Sequence, residues 1–170
     1  STVVRRVGDY QTTGLYCAFL EDRYALPGDK ILEPMAEFLR EVLLEPVTEG
    51  DGFSASFVES EKKNLIATIE SELNDKRAYA MGQMVRVMCK EDSYGVPRLG
   101  DKEAVAAITP KSACEHFRKI LKESRIDIFY VGSAPAEEVA RLLMPIFREI
   151  DRDYVNLPGQ TAFHDVGGAD

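Results

Sequence analysis

The residues from Thr2 to Leu20, TVVRRVGDYQTTGLYCAFL, alternate short apolar groups with turn signals. Val3, Val4 and Val7 are β-branched, Gly8-Asp9 marks a turn, and Gly14 to Leu20 is a second apolar run, so the pattern predicts strand, turn, strand. Aromatics and the preceding Thr12-Thr13 favour sheet over helix in that second run. Between Leu26 and Pro46, Ile31, Leu32, Met35, Phe38, Leu39, Val42 and Leu43 recur at helical spacing as one stripe. Asp29 is the expected N-cap of this amphipathic helix, Pro34 sits near its start or kinks it, and Pro46 marks its end. Val47 to Phe53 then reads as a loop.

From Ser56 to about Lys90 the apolar positions Val58, Leu65, Ile69, Leu73, Ala80, Met84, Val87 and Met88 describe one long helical stripe. Asn74-Asp75 are weak helix residues in its middle and predict a bend or short break. Glu91 to Asp101, with two glycines and a proline, is a loop, and Lys102 to Ile108 has the length of one or two helical turns. Thr109 caps a helix that has Pro110 at its first position and Ala113, Phe117, Ile120 and Leu121 on its buried face. Arg125 to Ser133, RIDIFYVGS, is rich in β-branched and aromatic residues and short enough for an interior strand. The last helix, Ala134 to Ile150, buries Val139, Leu142, Leu143, Ile146 and Phe147, with Pro145 predicting a kink or early stop.

The order of elements predicts an α+β fold, an antiparallel or mixed sheet with helices packed on one face, filling residues 1–150. Residues 151–170 lose periodicity and read as a tail or as a linker to a following half.

Composition narrows the partners. The 170 residues carry a net charge of −8, with 45% hydrophobic and 29% charged residues, an ordinary globular balance. An acidic chain with no basic cluster longer than Arg5-Arg6 or Lys62-Lys63 does not suit nucleic acid or an anionic membrane. Three widely spaced cysteines, Cys17, Cys89 and Cys114, fit reduced thiols in the cytoplasm rather than a disulfide framework. No apolar run approaches the ~18 residues of a membrane span.

Candidate chemistry is sparse. The two histidines, His116 and His164, have no second His or Cys one turn away, and Cys114, Glu115 and His116 are consecutive, so on a helix they point apart. The segment VGSAPAEEV has a strand, a turn and a helix start, but too few glycines and no lysine for a phosphate cradle, and reads as an αβ turn with Ser133 or Ala134 near the helix N-terminus. Glu59, Glu61, Glu70, Glu72 and Asp75 crowd the long helix. Each has basic neighbours such as Lys62, Lys63, Lys76 and Arg77, the signature of a solvated face rather than of an acid/base pair.

Taken in series, FVESEKKNLIATIESELNDKRAYA, the Y-G-x-P-x-x-G loop at Tyr94 to Gly100, the Ile108-Thr109 cap and the DIFYVG strand followed by Glu137-Glu138-Val139 resemble the pitrilysin/insulinase-type zinc metallopeptidase family. The likeness runs from about Leu32 to Val139 and is nearest the bacterial branch in which one paralogue lacks the catalytic motif. The resemblance implies part of one half of a homologous repeat. It also implies a zinc site built from H-x-x-E-H and a distal Glu on a later helix, with the motif Glu as general base. No H-x-x-E-H occurs in this chain. Where the family places its distal Glu, seven residues after Glu61, this sequence has Thr68, and Glu70 reaches that place only by a shift that takes Ile69 out of the apolar stripe.

The reading that follows has no catalytic residue, no metal ligand and no cofactor in this chain: a non-catalytic half that helps enclose a peptide chamber. Its expected partners are the other halves of its own chain, a peptidase-like paralogue and a peptide substrate. Zinc belongs to a full-length active relative. Two alternatives stand beside it. In one the parent protein is an active zinc metalloendopeptidase with H-x-x-E-H elsewhere, and in the other the chain is a stand-alone acidic adaptor domain. The fragment reading predicts an exposed apolar patch where a missing half would pack.

Overall fold

The stripe between Leu26 and Pro46 forms helix α1, Leu32–Leu44, but its cap comes from elsewhere than expected. In the computed structural model, which describes residues 1–7 and 10–154, Ile31 occupies the N-cap position and offers no side-chain acceptor. Asp22, in the 3-10 turn Asp22–Tyr24, reaches across so that its Oδ1 accepts from the backbone N–H of Ile31 (2.8 Å) and Leu32 (3.0 Å). Asp29 instead closes the preceding turn through its backbone N–H, which donates to Leu26 O at 2.9 Å. Asp29 is the nearer acid in sequence, but loop folding delivers Asp22, further away along the chain, to the head of α1. Pro34 lies in the first turn of α1, where its missing N–H has no helical partner to lose.

Those two backbone N–H groups hold the Asp22 carboxyl below the usual carboxylate range, with Lys30 adding to the effect. A group whose folded pKa is depressed contributes stability above its unfolded pKa, and that contribution fades as pH falls through the lowered folded value. Asp22→Ala is therefore expected to lower the melting temperature more than Asp29→Ala. Asp22→Asn, which keeps an acceptor but cannot titrate, should flatten the acid limb of melting temperature against pH below about pH 4. Thermal unfolding followed by circular dichroism across pH 2.5–7 checks both.

Strand β1, Thr2–Val7, pairs antiparallel with β2, Tyr10–Leu15, in a register running from Thr2↔Leu15 to Val7↔Tyr10. The Gly8-Asp9 turn lies outside the described residues. The second strand thus comes earlier than the apolar run Gly14 to Leu20 predicted. Tyr16 still exchanges two backbone bonds with Ser1, both at 2.8 Å, and Cys17 to Leu20 continue extended without a ladder. The hairpin docks on the Tyr94–Gly100 loop. There the Arg6 guanidinium donates to the carbonyls of Tyr94 and Val96 and sits over the Tyr94 ring, while Gln11 donates to Arg98 O at 2.9 Å. Gly100, the last residue of that loop pattern, has φ +75°, a conformation that glycine adopts without steric cost.

The segment read as a loop, Val47 to Phe53, holds a second hairpin, β3 (Thr48–Glu49) with β4 (Gly52–Phe53). Two-residue strands are too short to show alternation. The long helix is broken where Asn74-Asp75 predicted it: α2 spans Ala55–Ser71, a 3-10 turn covers Glu72–Asn74, and α3 spans Lys76–Met88. Asp75 caps α3, its Oδ1 accepting from Arg77 N and Ala78 N at 3.1 and 3.0 Å. Helices α4 (Lys102–Ala106) and α5 (Pro110–Glu123) follow, the latter closed by a reciprocal Thr109/Ser112 capping box. Helix α6, Ala136–Arg148, carries Pro145 inside it and ends just beyond.

The run Arg125 to Ser133 is the main departure. No ladder forms on it, and Phe129 and Val131 are 91% and 99% exposed. A strand needs a neighbour to satisfy its backbone, and high β-propensity supplies none. The class is α+β, as expected, but its β part among the described residues is two separate antiparallel hairpins rather than one sheet carrying helices on a face.

Helix α1 packs on α6, α2 on α4, and α5 on β4. Among the described residues, Leu32 and Ala36 on α1, Val139 and Ile146 on α6, Val105 on α4 and Cys114 on α5 are the buried apolar side chains, and the Phe53 and Phe117 rings meet edge-to-face at 5.7 Å. The first residues after α6 fold back on α5: Arg152 donates to Leu121 O and Ser124 O, and Asp153 N–H to Lys122 O. These bonds satisfy carbonyls that the end of α5 leaves open. Residues 155–170, most of the expected tail, lie outside the described residues. Among the described residues no helix is long and apolar enough to cross a membrane.

Candidate functional site

Helix α2 is where the sequence placed its candidate chemistry, and several of its polar groups are engaged by neighbours. Glu59 pairs with Lys62 at 3.0 Å, and the half-buried Lys62 also donates to Ile108 O at 2.9 Å, tying α2 to the turn that starts α5. Glu61 accepts from Asn64 Nδ2 at 3.5 Å. Thr68 is exposed and its hydroxyl donates to Asn64 O at 2.8 Å, one turn back on its own helix. Glu70 forms an ion pair with Lys102 of α4, and its carboxylate raises the Lys102 pKa. That partner was not among the neighbours read from sequence, since it arrives from another helix.

These residues do not fit a zinc ion. A hydroxyl bonded into its own helix is a poor ligand beside thiolate, imidazole and carboxylate, and the Glu70 carboxylate is neutralised by an ammonium group. Among the described residues no three His, Cys, Asp or Glu side chains lie close enough together to hold a metal. His116 is exposed on α5, two residues after the fully buried Cys114. His164 lies outside the described residues. Cys17, Cys89 and Cys114 are free thiols.

Two concave features stand out among the described residues. A groove of about 470 Å³ runs between α1 and α6, lined in part by Ala36, Arg40, Leu142, Pro145 and Ile146. Arg40 in its wall is bound to Glu149 by two hydrogen bonds (3.1 and 2.9 Å) and to Glu45 at 2.7 Å. The guanidinium holds Glu149 below the usual carboxylate range. A smaller cleft of about 250 Å³ lies where Phe19, Glu21 and Asp22 face Tyr130 and Ser133. The Ser133 N–H and hydroxyl, donors that a phosphate would need at this turn, both go to the Glu21 carboxylate, at 3.0 and 2.7 Å. That contact lowers the Glu21 pKa, the Ser133 hydroxyl contributing most. Sequence reasoning missed Glu21, Asp22 and Arg40 because their partners are distant along the chain.

No family model matches the chain. It is 26% identical over 131 residues to a Bacillus subtilis (strain 168) protein named "Probable inactive metalloprotease YmfF", a match covering 77% of this chain and 31% of that protein. Its structure is similar to the crystal structure of a conserved protein from Enterococcus faecalis V583, with a TM-score of 0.65 and 31% identity, covering 78% of this chain and 30% of that one. The chain spans about a third of the length of each. It is thus similar to one stretch of a metallopeptidase-like protein whose own name marks it inactive.

Proposed function

We propose that this chain is part of a non-catalytic protein of the pitrilysin/insulinase type, in which it serves as a structural half that helps enclose a peptide chamber and binds partner domains. One observation carries the reading. At the place where the family resemblance puts a distal zinc ligand, α2 presents Thr68, its hydroxyl turned to Asn64 O, with Glu70 one half-turn on and engaged by Lys102. The likeness to a relative named inactive supports the same conclusion. The partners of such a half are the remaining parts of its own polypeptide and a peptidase-like paralogue, with a peptide as the enclosed ligand. Three unpaired thiols suit a cytoplasmic setting.

Metal analysis of the complete gene product tests this. The expected result is zinc well below one equivalent, no peptidase activity, and no change in either on Glu70→Gln. Stoichiometric zinc together with peptidase activity that Glu70→Gln abolishes would establish the opposite reading, an active zinc endopeptidase with its H-x-x-E-H outside this chain.

A further inference from the structure

The chain exposes far more surface than its mass calls for. A self-contained monomer of 19.0 kDa exposes about 8,400 Å², whereas this chain exposes 13150 Å². Crediting residues 155–170 with the full surface of an extended chain accounts for only about 2,500 Å² of the difference. What is left, about 2,250 Å², lies near the top of the roughly 1,000–2,500 Å² that one partner contributes to an obligate interface.

Exposed apolar side chains are spread over several elements, and two runs add a pattern to that exposure. Along residues 126–131, Ile126 and Tyr130 are half-buried and Ile128 is 42% exposed, while Asp127, Phe129 and Val131 between them face outward. Along residues 16–20, Cys17 and Phe19 are half-buried and Tyr16, Ala18 and Leu20 are exposed. Residues 16–20 therefore have the period-two alternation of a strand with one face already seated on the protein, and in residues 126–131 the two half-buried side chains, Ile126 and Tyr130, lie an even number of residues apart, as one face of a strand would place them. Among the described residues the backbone groups of Ile126 to Val131 and of Cys17 to Leu20 enter no backbone hydrogen bond. The Glu21–Ser133 contact joins the two runs where they end. This is strand geometry without its ladder, and exposed backbone edges of this kind pair readily with another strand.

We propose that residues 126–131 are an acceptor edge that takes up a β-strand from the part of a longer polypeptide lying outside the third of the relatives' length that this chain spans. Its incoming side chains are apolar at alternate positions, beside Phe129 and Val131. A second copy of this chain is the poorer occupant, because two chains of net charge −8 repel each other. The inference names the partner surface of the structural half proposed above, but it holds whether or not the parent protein binds zinc.

Hydrogen–deuterium exchange on the complete gene product and on the 170-residue chain tests it. The amides of residues 127–131 should exchange ~100-fold or more slowly in the complete product than in the chain alone. Phe129→Asp should lower the melting temperature of the complete product and leave that of the chain unchanged. Equal exchange in the two proteins overturns the proposal, as does a gene product no longer than the chain. Protection in the chain alone that rises with concentration, alongside a dimer in sedimentation velocity, overturns it in favour of a second copy. A zinc-loaded, active gene product would refute the non-catalytic reading without moving these exchange rates.

Discussion

Replacing Ile146 with alanine is expected to destabilise the chain by about 2–4 kcal/mol, the range for removing a buried aliphatic side chain and leaving a space behind. Ile146 is 3% exposed on α6, one heptad after Val139 at 6%, and α6 packs on α1, whose Leu32 and Ala36 are also buried. Few side chains are this well buried, so the α1–α6 contact carries a large share of a total stability that in domains of this size is about 5–15 kcal/mol. The melting temperature should fall by roughly 5–15 °C. Val131→Ala is the control, because a side chain 99% exposed leaves no cavity. Calorimetry on the two variants checks the contrast, and equal melting temperatures would mean that α1 and α6 do not form the packed core described.

Gly52→Ala is expected to cost about 1–3 kcal/mol by the opposite route, overpacking. A Cβ on the buried Gly52 would lie 2.8 Å from both Lys111 N and Pro110 C, and 3.0 Å from Pro110 O. Those atoms are backbone at the start of α5, where Pro110 and the Thr109/Ser112 capping box hold the first turn in place, so no flexible side chain can swing aside. Gly82→Ala makes the informative comparison. It lies within α3 with nothing within 4 Å of its added Cβ, so alanine should stabilise the helix by about 0.5–1 kcal/mol. Urea unfolding of the two variants should give midpoints displaced in opposite directions from the parent.

Much of the helical architecture was legible in the residues because helix signals are local. The stripe from Ile31 to Leu43, the break at Asn74-Asp75 and the Thr109-Pro110 start of α5 each depend on neighbours within a turn or two. Short hairpins and distant caps were not legible. Glu49-Gly50-Asp51-Gly52 looks like any polar loop until Gly52 packs on α5, and Asp22 is ordinary until the chain carries it to the head of α1. The candidate site was legible as a solvated helix face, but the partner that engages Glu70 is Lys102, brought from α4.

By itself, then, the chain's order of apolar and polar residues determined which segments are helices, where they start and break, and that α2 carries Thr68 rather than a carboxylate at the place singled out by family resemblance. It also determined that Arg125 to Ser133 has the composition of an interior strand, since β-branched and aromatic content is read residue by residue. Only tertiary structure decided whether that run becomes a sheet. A ladder needs a second strand at about 4.8 Å, and none of the described residues supplies one to Ile126–Val131. Propensity is written in the residues, but pairing depends on what lies beside them.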